Sequence, residues 1–219
     1  MNGRGVVVEF DFAVMDGAGL LFKTAKKFLS DLDKIALDDA LEARYLAGRT
    51  YLDGLARLFA SVRTKKTAQK AARDLAAAFN TAVTEAVSAA ITVQFRNFIK
   101  TLTDAGVTVA IATRADVEAV KPAFEPVLGE RVILYHEESE AYGFATWESW
   151  RRACIALEMK HAMVRAVSGS GFGVKAALVA GLRSVAVIND RVAWQDFGGA
   201  SEVLDELSGK TAKRFLARV

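Results

Sequence analysis

Residues 5–16, with the sequence GVVVEFDFAVMD, decide the fold because they join an uninterrupted apolar run to two closely spaced carboxylates. The run Gly5–Phe10 is typical of a parallel strand that is buried on both faces. Glu9 and Asp11 are two positions apart, so side-chain alternation near the end of this strand would bring both carboxylates to one side. In an open α/β sheet, ligands bind outside the carboxyl ends of the strands, where these two residues stand.

Four further apolar runs are predicted to be strands: Val107–Ala112, Val132–Tyr135, Ala162–Val167 and Ser184–Ile188. Helices are predicted between most of them: Ala115–Val127, Trp147–Leu157 and Val174–Ala180. This alternation indicates an α/β fold with a doubly wound parallel sheet. Between residues 20 and 91, apolar side chains such as Leu75, Phe79 and Val83 recur at helical spacing without a strand pattern. This apolar stripe would pack either on the core of the same chain or on a second copy.

The composition is that of a globular protein that can bury a sizeable core. The chain has 219 residues, of which 52% are hydrophobic and 25% charged. Its one cysteine, Cys154, excludes an intramolecular disulfide framework. No run long enough to span a membrane is free of charge, so we expect a cytoplasmic protein that does not bind a membrane. The net charge of +3 comes from scattered Lys and Arg with one small cluster at Arg63–Lys66, which argues against nucleic-acid binding.

Three stretches match, in order and spacing, the motifs of one known family. Its first motif, Asp-x-Asp-Gly-Thr-Leu-x-Asp, corresponds in frame to Glu9–Asp16. Its second, an apolar strand that ends in Thr or Ser, corresponds to Val109–Thr113. Its fourth, Gly-Asp-Ser-x-x-Gly-Val-x-Ala-Ala-x-Ala-Ala-Gly-Met, corresponds to Ser168–Leu182. The chain therefore resembles the haloacid dehalogenase-like (HAD) superfamily over almost its whole length.

The resemblance implies a particular arrangement of domains. A HAD-like α/β core would comprise residues 1–16 and 92–219, with an α-helical cap at 17–91 inserted after the first strand. Near the end of the chain, Ser184–Val187 would be a strand and Ala200–Leu207 would be the family's terminal helix.

The resemblance also implies catalytic roles, and most of the positions that carry them are altered. In working members the first Asp of the first motif is the nucleophile and the second is the general acid/base; here these positions hold Glu9 and Asp11. Phe144 stands near the position of the motif-three lysine, and Gly169 stands where an Asp helps to hold Mg²⁺. Thr113 fits a phosphate-oxygen donor, although a Thr after a strand also commonly caps the next helix.

Each change opposes metal-dependent phosphoryl transfer for a physical reason. The extra methylene of Glu9 moves its carboxylate by about 1 Å, and such a displacement can lower a rate about 100-fold. Gly169 supplies no carboxylate, whereas Mg²⁺ relies on carboxylates and substrate phosphate for its octahedral shell. We therefore expect no metal site and no cofactor, with Mg²⁺ required only if the chain is an active hydrolase.

The loop after the fourth predicted strand contains a candidate anion-binding site. Ser168, Gly169, Ser170 and Gly171 lie between a strand and a helix, so their backbone N–H groups, together with Thr113, could bind a phosphate. A bare turn without a ligand explains the same sequence. The Gly-x-Gly-x-Gly spacing differs from the dinucleotide-binding pattern Gly-x-Gly-x-x-Gly.

Three functions follow from these observations. The leading hypothesis is a HAD-like protein that has lost Mg²⁺-dependent phosphatase activity and binds a small phosphorylated or other anionic ligand between cap and core. The first alternative is an active hydrolase of phosphate esters that uses Glu9 and Asp11. The second is a structural or homo-oligomerising protein whose cleft is filled by its own side chains, as the bulky Phe12 and Phe144 would favour.

Overall fold

A computed structural model describes residues 4–217, which form a fully parallel sheet of six strands. The strands are β1 (Arg4–Glu9), β2 (Val107–Thr113), β3 (Val132–His136), β4 (Val164–Ser168), β5 (Arg183–Val187) and β6 (Glu202–Leu204). They lie in the order β3-β2-β1-β4-β5-β6, so the chain starts in the middle of the sheet and winds outward on both sides. The predicted doubly wound α/β fold is therefore confirmed.

Helices connect and cover the strands. They are α1 (Phe10–Ala13), α2 (Gly17–Asp33), α3 (Asp39–Leu41), α4 (Tyr51–Val62), α5 (Ala68–Ala90), α6 (Val93–Asp104), α7 (Val117–Phe124), α8 (Trp147–Ala156), α9 (Gly171–Val179) and α10 (Gly209–Ala217). A π-helical turn at Glu42–Leu46 and a 3₁₀ turn at His161–Met163 complete the helical elements between residues 4 and 217. No single helix in this range is long and apolar enough to cross a membrane, although α5 and α6, bent by 84° at their junction, reach that length and composition together.

The central strand β1 fixes the position of the candidate site. Its residues Val6, Val7 and Val8 are at most 1% exposed, as expected for a strand with helices on both faces. In the pairing register, Glu9 lies beside Ala112 of β2, and Val8 lies beside Val167 of β4. The carboxyl ends of β1, β2 and β4 therefore meet at one edge of the sheet.

The helices of the predicted cap pack on one another and on the core. Both α2 and α4 lie against α5, the longest helix. The apolar stripe of Leu75, Phe79 and Val83 on α5 is completely buried, so it packs within one chain. The proposed division into a core (residues 1–16 and 92–219) and a cap (17–91) stays a prediction, and its residues 1–3 and 218–219 lie outside the described range.

The prediction of a terminal helix at residues 200–207 is wrong. Glu202–Leu204 instead forms β6, which pairs with β5 in the register Val185 to Glu202. Burial alternates along it, with Val203 49% exposed and Leu204 2% exposed, as the period of an edge strand requires. The helix α10 begins only after the turn at Ser208, whose amide donates to Oγ1 of Thr211 (2.8 Å).

Candidate active site

The carboxylate of Glu9 lies at the end of β1 and is held by three donors. The Phe144 amide donates to Oε1 (2.7 Å), while the Ser168 hydroxyl (2.5 Å) and the Gly169 amide (3.3 Å) donate to Oε2. Glu9 is 1% exposed, so its carboxylate contacts these protein donors and not bulk water. Both carboxylate oxygens are therefore occupied by contacts within the chain.

Burial also changes the acidity of Glu9. Loss of hydration raises the pKa of its carboxyl from 4.5 to about 7, even though Ser168, Phe144 and the charge of Arg114 favour the ionised form. Near neutral pH, the protonated and ionised forms of Glu9 are thus both populated.

Asp11 is the second residue of the short helix α1, which follows β1 directly, and it is equally buried. Thr113 donates its hydroxyl to Oδ1 (2.6 Å), and the Arg114 amide donates to Oδ2 (2.8 Å). Burial raises the pKa of Asp11, and the Arg114 charge and the Thr113 hydrogen bond oppose that rise. Glu9 and Asp11 therefore lie at the same edge of the sheet, but each has its own set of partners.

Thr113 takes part in the Asp11 contact and does not cap the following helix. Besides donating to Asp11, its Oγ1 accepts from the Ala115 amide (3.1 Å). The N-cap of α7 is Asp116, whose carboxylate accepts from the amides of Glu118 and Ala119. The prediction that Thr113 caps the next helix is therefore wrong. Its hydroxyl proton is donated to Asp11.

Arg114 has no role in the sequence-based prediction of the site, yet it lies beside Asp11 at the same edge of the sheet. Its guanidinium is buried, and Nη2 donates to the carbonyl oxygens of Ala141 (3.0 Å) and Gly143 (2.6 Å). Nη1 lies 3.7 Å from Oδ2 of Asp11 and has no hydrogen-bond partner among residues 4–217. The sequence does contain one sign of this arrangement: Arg114 directly follows a buried strand, and a buried positive charge requires partners.

Gly169 closes the position at which the family's metal-binding carboxylate would stand. A Cβ atom on Gly169 would lie 1.9 Å from the carbonyl oxygen of Phe12, so the two backbones touch. A side chain of any kind does not fit there without a backbone shift. Together with the fully occupied Glu9 carboxylate, this contact means that the residues present do not fit a Mg²⁺ ion.

The predicted anion-binding loop contacts oxygen atoms of its own chain. The amide of Ser170 donates to the Ser168 hydroxyl (3.2 Å), and that of Gly171 donates to Oε1 of Gln195 (2.8 Å). The amide of Gly169 donates to Glu9. The carboxylate of Glu9 thus occupies the start of α9, where a ligand's anionic group was predicted.

Aromatic side chains fill the space around these carboxylates. Phe12 packs edge-on against Phe79 of α5 and Tyr142, with ring centroids 6.5 and 5.2 Å apart. Phe144 contributes its amide to Glu9, while its ring packs on Trp150 at 4.8 Å. An apolar ring therefore stands where the resemblance implies a lysine.

The acidic and imidazole side chains after β3 do not form a metal centre. Nδ1 of His136 lies 3.0 Å from the Ala115 carbonyl oxygen, and buried Glu137 is paired with Arg152 (2.5 Å). Within the described range, no group of three or more His, Cys, Asp or Glu residues is placed to hold a metal ion.

Comparisons with known structures identify the fold. No protein-family model and no curated protein matches the sequence. The structure is similar to β-phosphoglucomutase from Clostridium difficile, with a TM-score of 0.72 and 12% identity over 100% of this chain and 96% of that one. It is similar to CbbY from Rhodobacter sphaeroides in complex with xylulose-(1,5)-bisphosphate, with a TM-score of 0.66 and 18% identity over 93% and 94% of the two chains.

A haloacid dehalogenase-like hydrolase from Bacteroides fragilis is also similar, with a TM-score of 0.68 and 13% identity over 95% of this chain and 99% of that one. The chain therefore has the fold of the haloacid dehalogenase-like superfamily, as its motifs indicated. Identity at this level establishes the fold, and the function has to be argued from the site itself.

The contact between Gly169 and Phe12 predicts the effect of restoring a side chain. We expect Gly169→Asp and Gly169→Ala to lower the free energy of unfolding by about 3 kcal/mol or more, because either side chain forces two backbones apart. Gly129→Ala is the matched control, since a Cβ there meets nothing within 4 Å. Urea unfolding followed by circular dichroism measures all three variants. Equal stability of the 169 and 129 variants would contradict the close contact.

The raised pKa of Glu9 predicts a specific pH dependence of stability. Glu9 binds its proton more tightly in the folded state than in the unfolded chain. Its protonation therefore stabilises the folded state fully below pH 4.5, and this stabilisation is lost as the pH rises through about 7. The loss is about 3 kcal/mol from the size of the shift. The Glu9→Gln variant has no carboxyl group at this position and does not show this loss. We therefore expect its free energy of unfolding to rise relative to that of the wild type by about 3 kcal/mol between about pH 5 and about pH 8. If the free energies of unfolding of the two proteins change with pH in parallel, the assignment of this pH dependence to Glu9 is refuted. Asp11 is present in both proteins, so its titration does not produce a difference between them.

Proposed function

We propose that this protein is a HAD-fold protein without metal-dependent phosphatase activity, and that it acts by binding rather than by turnover. The observation that carries the proposal is the contact of the Phe12 carbonyl oxygen with Gly169, 1.9 Å from where a Cβ would stand. This contact leaves no room for a metal-binding side chain. Without a metal ion and a lysine, the charge that develops on a transferring phosphoryl group loses its main stabilisers.

The state of Glu9 supports the same conclusion. A carboxylate nucleophile must approach phosphorus to within about 3.5 Å along the line of attack. Both oxygens of Glu9 instead accept hydrogen bonds from Phe144, Ser168 and Gly169. Attack would require breaking these bonds and ionising a carboxyl whose pKa is raised to about 7.

Contacts between the predicted cap and core support a closed cleft. The segment at residues 139–144, which follows β3, pairs with the segment just before α4. The Tyr51 amide donates to the Glu140 carbonyl oxygen (2.7 Å), and the Tyr142 amide donates to that of Arg49 (3.0 Å). Arg114 holds the same segment through Ala141 and Gly143. Opening the cleft for a substrate would break the two bonds between Tyr51 and Glu140 and between Tyr142 and Arg49, which join the predicted cap to the predicted core.

Turnover of phosphate monoesters tests this proposal directly. We expect the wild type, with and without Mg²⁺, to hydrolyse a broad panel no faster than Glu9→Gln, because neither protein holds a usable nucleophile and metal. Hydrolysis is measured as released phosphate, with Asp11→Asn as a second variant that exposes a contaminating phosphatase. Mg²⁺-dependent turnover that disappears in both variants would overturn the proposal and establish the active-hydrolase alternative.

The binding that this proposal requires is assigned to a small anionic ligand at the edge of the cleft. A cavity of about 680 Å³ lies between α5 and the core, and Arg114, His136, Asn80 and Thr84 line part of it. The buried Nη1 of Arg114 and Oδ1 of Asn80 have no hydrogen-bond partner among the described residues. Such atoms favour a ligand that completes their hydrogen bonds.

The remaining charges of this cavity narrow the ligand class. Three carboxylates, Glu85, Asp116 and Glu118, also line it. They disfavour a simple polyanion and favour a small molecule that carries a cationic group beside its phosphate. Phosphoethanolamine has both groups and is a suitable probe.

We expect phosphoethanolamine at millimolar concentration to raise the melting temperature, since a ligand that binds only the folded state stabilises it. The double variant Asn80→Ala/His136→Ala should lose this shift. Gln69→Ala is the control, because Gln69 is exposed on the same helix as Asn80 and does not line the cavity. Differential scanning fluorimetry measures the shift. No shift in the wild type, or the same shift in the double variant, would reject the cleft as the binding site.

A further inference from the structure

A cavity of about 640 Å³ lies where both connections between the predicted core and the predicted cap meet the sheet. Residues 12–16, at the end of α1 and in the turn into α2, line one part of it. Residues between 86 and 95, at the junction of α5 and α6, line another part. Residues 187–189 and 205–207, at the carboxyl ends of β5 and β6, complete the lining. Four separate parts of the fold thus enclose this space.

The walls of the cavity are largely apolar. Val14 and Leu20 line it from the side of α2, Phe95 from α6 and Ile188 from the end of β5. Every residue of α5 that lines it is an alanine, and such short side chains leave the space open. Apolar walls of this kind favour the hydrocarbon part of an organic molecule, because its burial removes apolar surface from water.

The charged groups of the cavity are mainly carboxylates. Asp16, Asp205 and Glu206 line it, and Lys23 is the one cation among the described residues that do so. Oδ1 of Asp16 accepts from the Gly19 amide (3.0 Å), as the N-cap of α2. Between residues 4 and 217, Asp205 and Glu206 form no ion pair. The charge of these two carboxylates therefore complements a cationic ligand.

The cation that fits is an ammonium group and not a metal ion. Within the described range, no three acidic, histidine or cysteine side chains are placed to hold a metal. Apolar walls also give a hydrated ion no contacts, whereas they pack well against the hydrocarbon part of an amine.

We propose that this cavity is a binding site for a small apolar amine. Its ammonium group lies at Asp205 and Glu206, and its hydrocarbon part packs on Leu20 and Phe95. A ligand with a carboxylate or phosphate group is a poorer fit, because the carboxylates of the cavity repel it. The proposal is independent of the function proposed for the Glu9 site, since Glu9 does not line this cavity.

The first test varies the charge of the probe and of the cavity. The probes are 2-phenylethylamine, 2-phenylethanol and phenylacetate, which share a phenyl ring and differ in charge. The double variant Asp205→Asn/Glu206→Gln changes exposed residues and should stay folded. The control, Glu125→Gln/Glu130→Gln, removes the same two charges from exposed positions outside the cavity. Ligand-detected NMR titration measures each affinity.

We expect the wild type and the control to bind 2-phenylethylamine equally, and the double variant Asp205→Asn/Glu206→Gln to bind it about fivefold more weakly, since exposed ion pairs are individually weak. Binding should fall from the amine to the alcohol to the carboxylate. Equal affinity for all three probes, equal weakening in both double variants, or no binding of the amine at millimolar concentration would overturn the proposal.

The second test fills the cavity. Ala89 lines it and Ala77 does not, although both are exposed on α5. We expect Ala89→Trp to abolish binding of 2-phenylethylamine, because the indole ring takes up the space of the ligand, and Ala77→Trp to bind like the wild type. Circular dichroism establishes that both variants are folded. Undiminished binding by folded Ala89→Trp would place the amine elsewhere and reject the cavity as its site.

Discussion

The buried carboxylate of Glu9 is the constraint on which the surrounding structure depends. Moving a carboxylate out of water costs several kcal/mol unless other donors replace its hydration. Here the replacements come from Phe144 and from the consecutive residues Ser168 and Gly169, in two separate parts of the fold. The segment before α8, the end of β4 and the turn into α9 must therefore converge on the end of β1. A carboxylate that faced solvent or a substrate would not impose this convergence.

Phe12 connects this constraint to the helices above the sheet. Its carbonyl oxygen touches Gly169, and its ring packs on Phe79 of α5 and on Tyr142. A larger residue at 169 would displace the backbone at Phe12 and with it the ring between the two layers. The absence of a side chain at residue 169 and the position of the Phe12 ring are therefore two aspects of one packing arrangement.

The sequence predicted those structural features that depend on a local pattern of residues. The apolar runs predicted β1 to β5 closely, because strands buried on both faces have a distinctive composition. The short edge strand β6 was not predicted, because an alternation of apolar and polar residues over only three positions does not distinguish a strand from a helix. The partners of Glu9 were also unpredictable in detail, because its donors are 135, 159 and 160 positions away. Arg114 was unassigned for the same reason: its role depends on where the segment at residues 139–143 lies.

The donor groups of a phosphate site are present in this protein, but its own carboxylate uses them. The amide of Gly169 and the hydroxyl of Ser168 would serve any oxyanion at the start of α9, and here both contact Glu9. A carboxylate in the same chain has an effective concentration that a free ligand does not match. A phosphate that displaced it would also leave the Phe144 amide without its acceptor inside the protein. This geometry supports the proposal that Glu9 does not act as a nucleophile, because the side chain that would have to attack already accepts hydrogen bonds from the donors of the site.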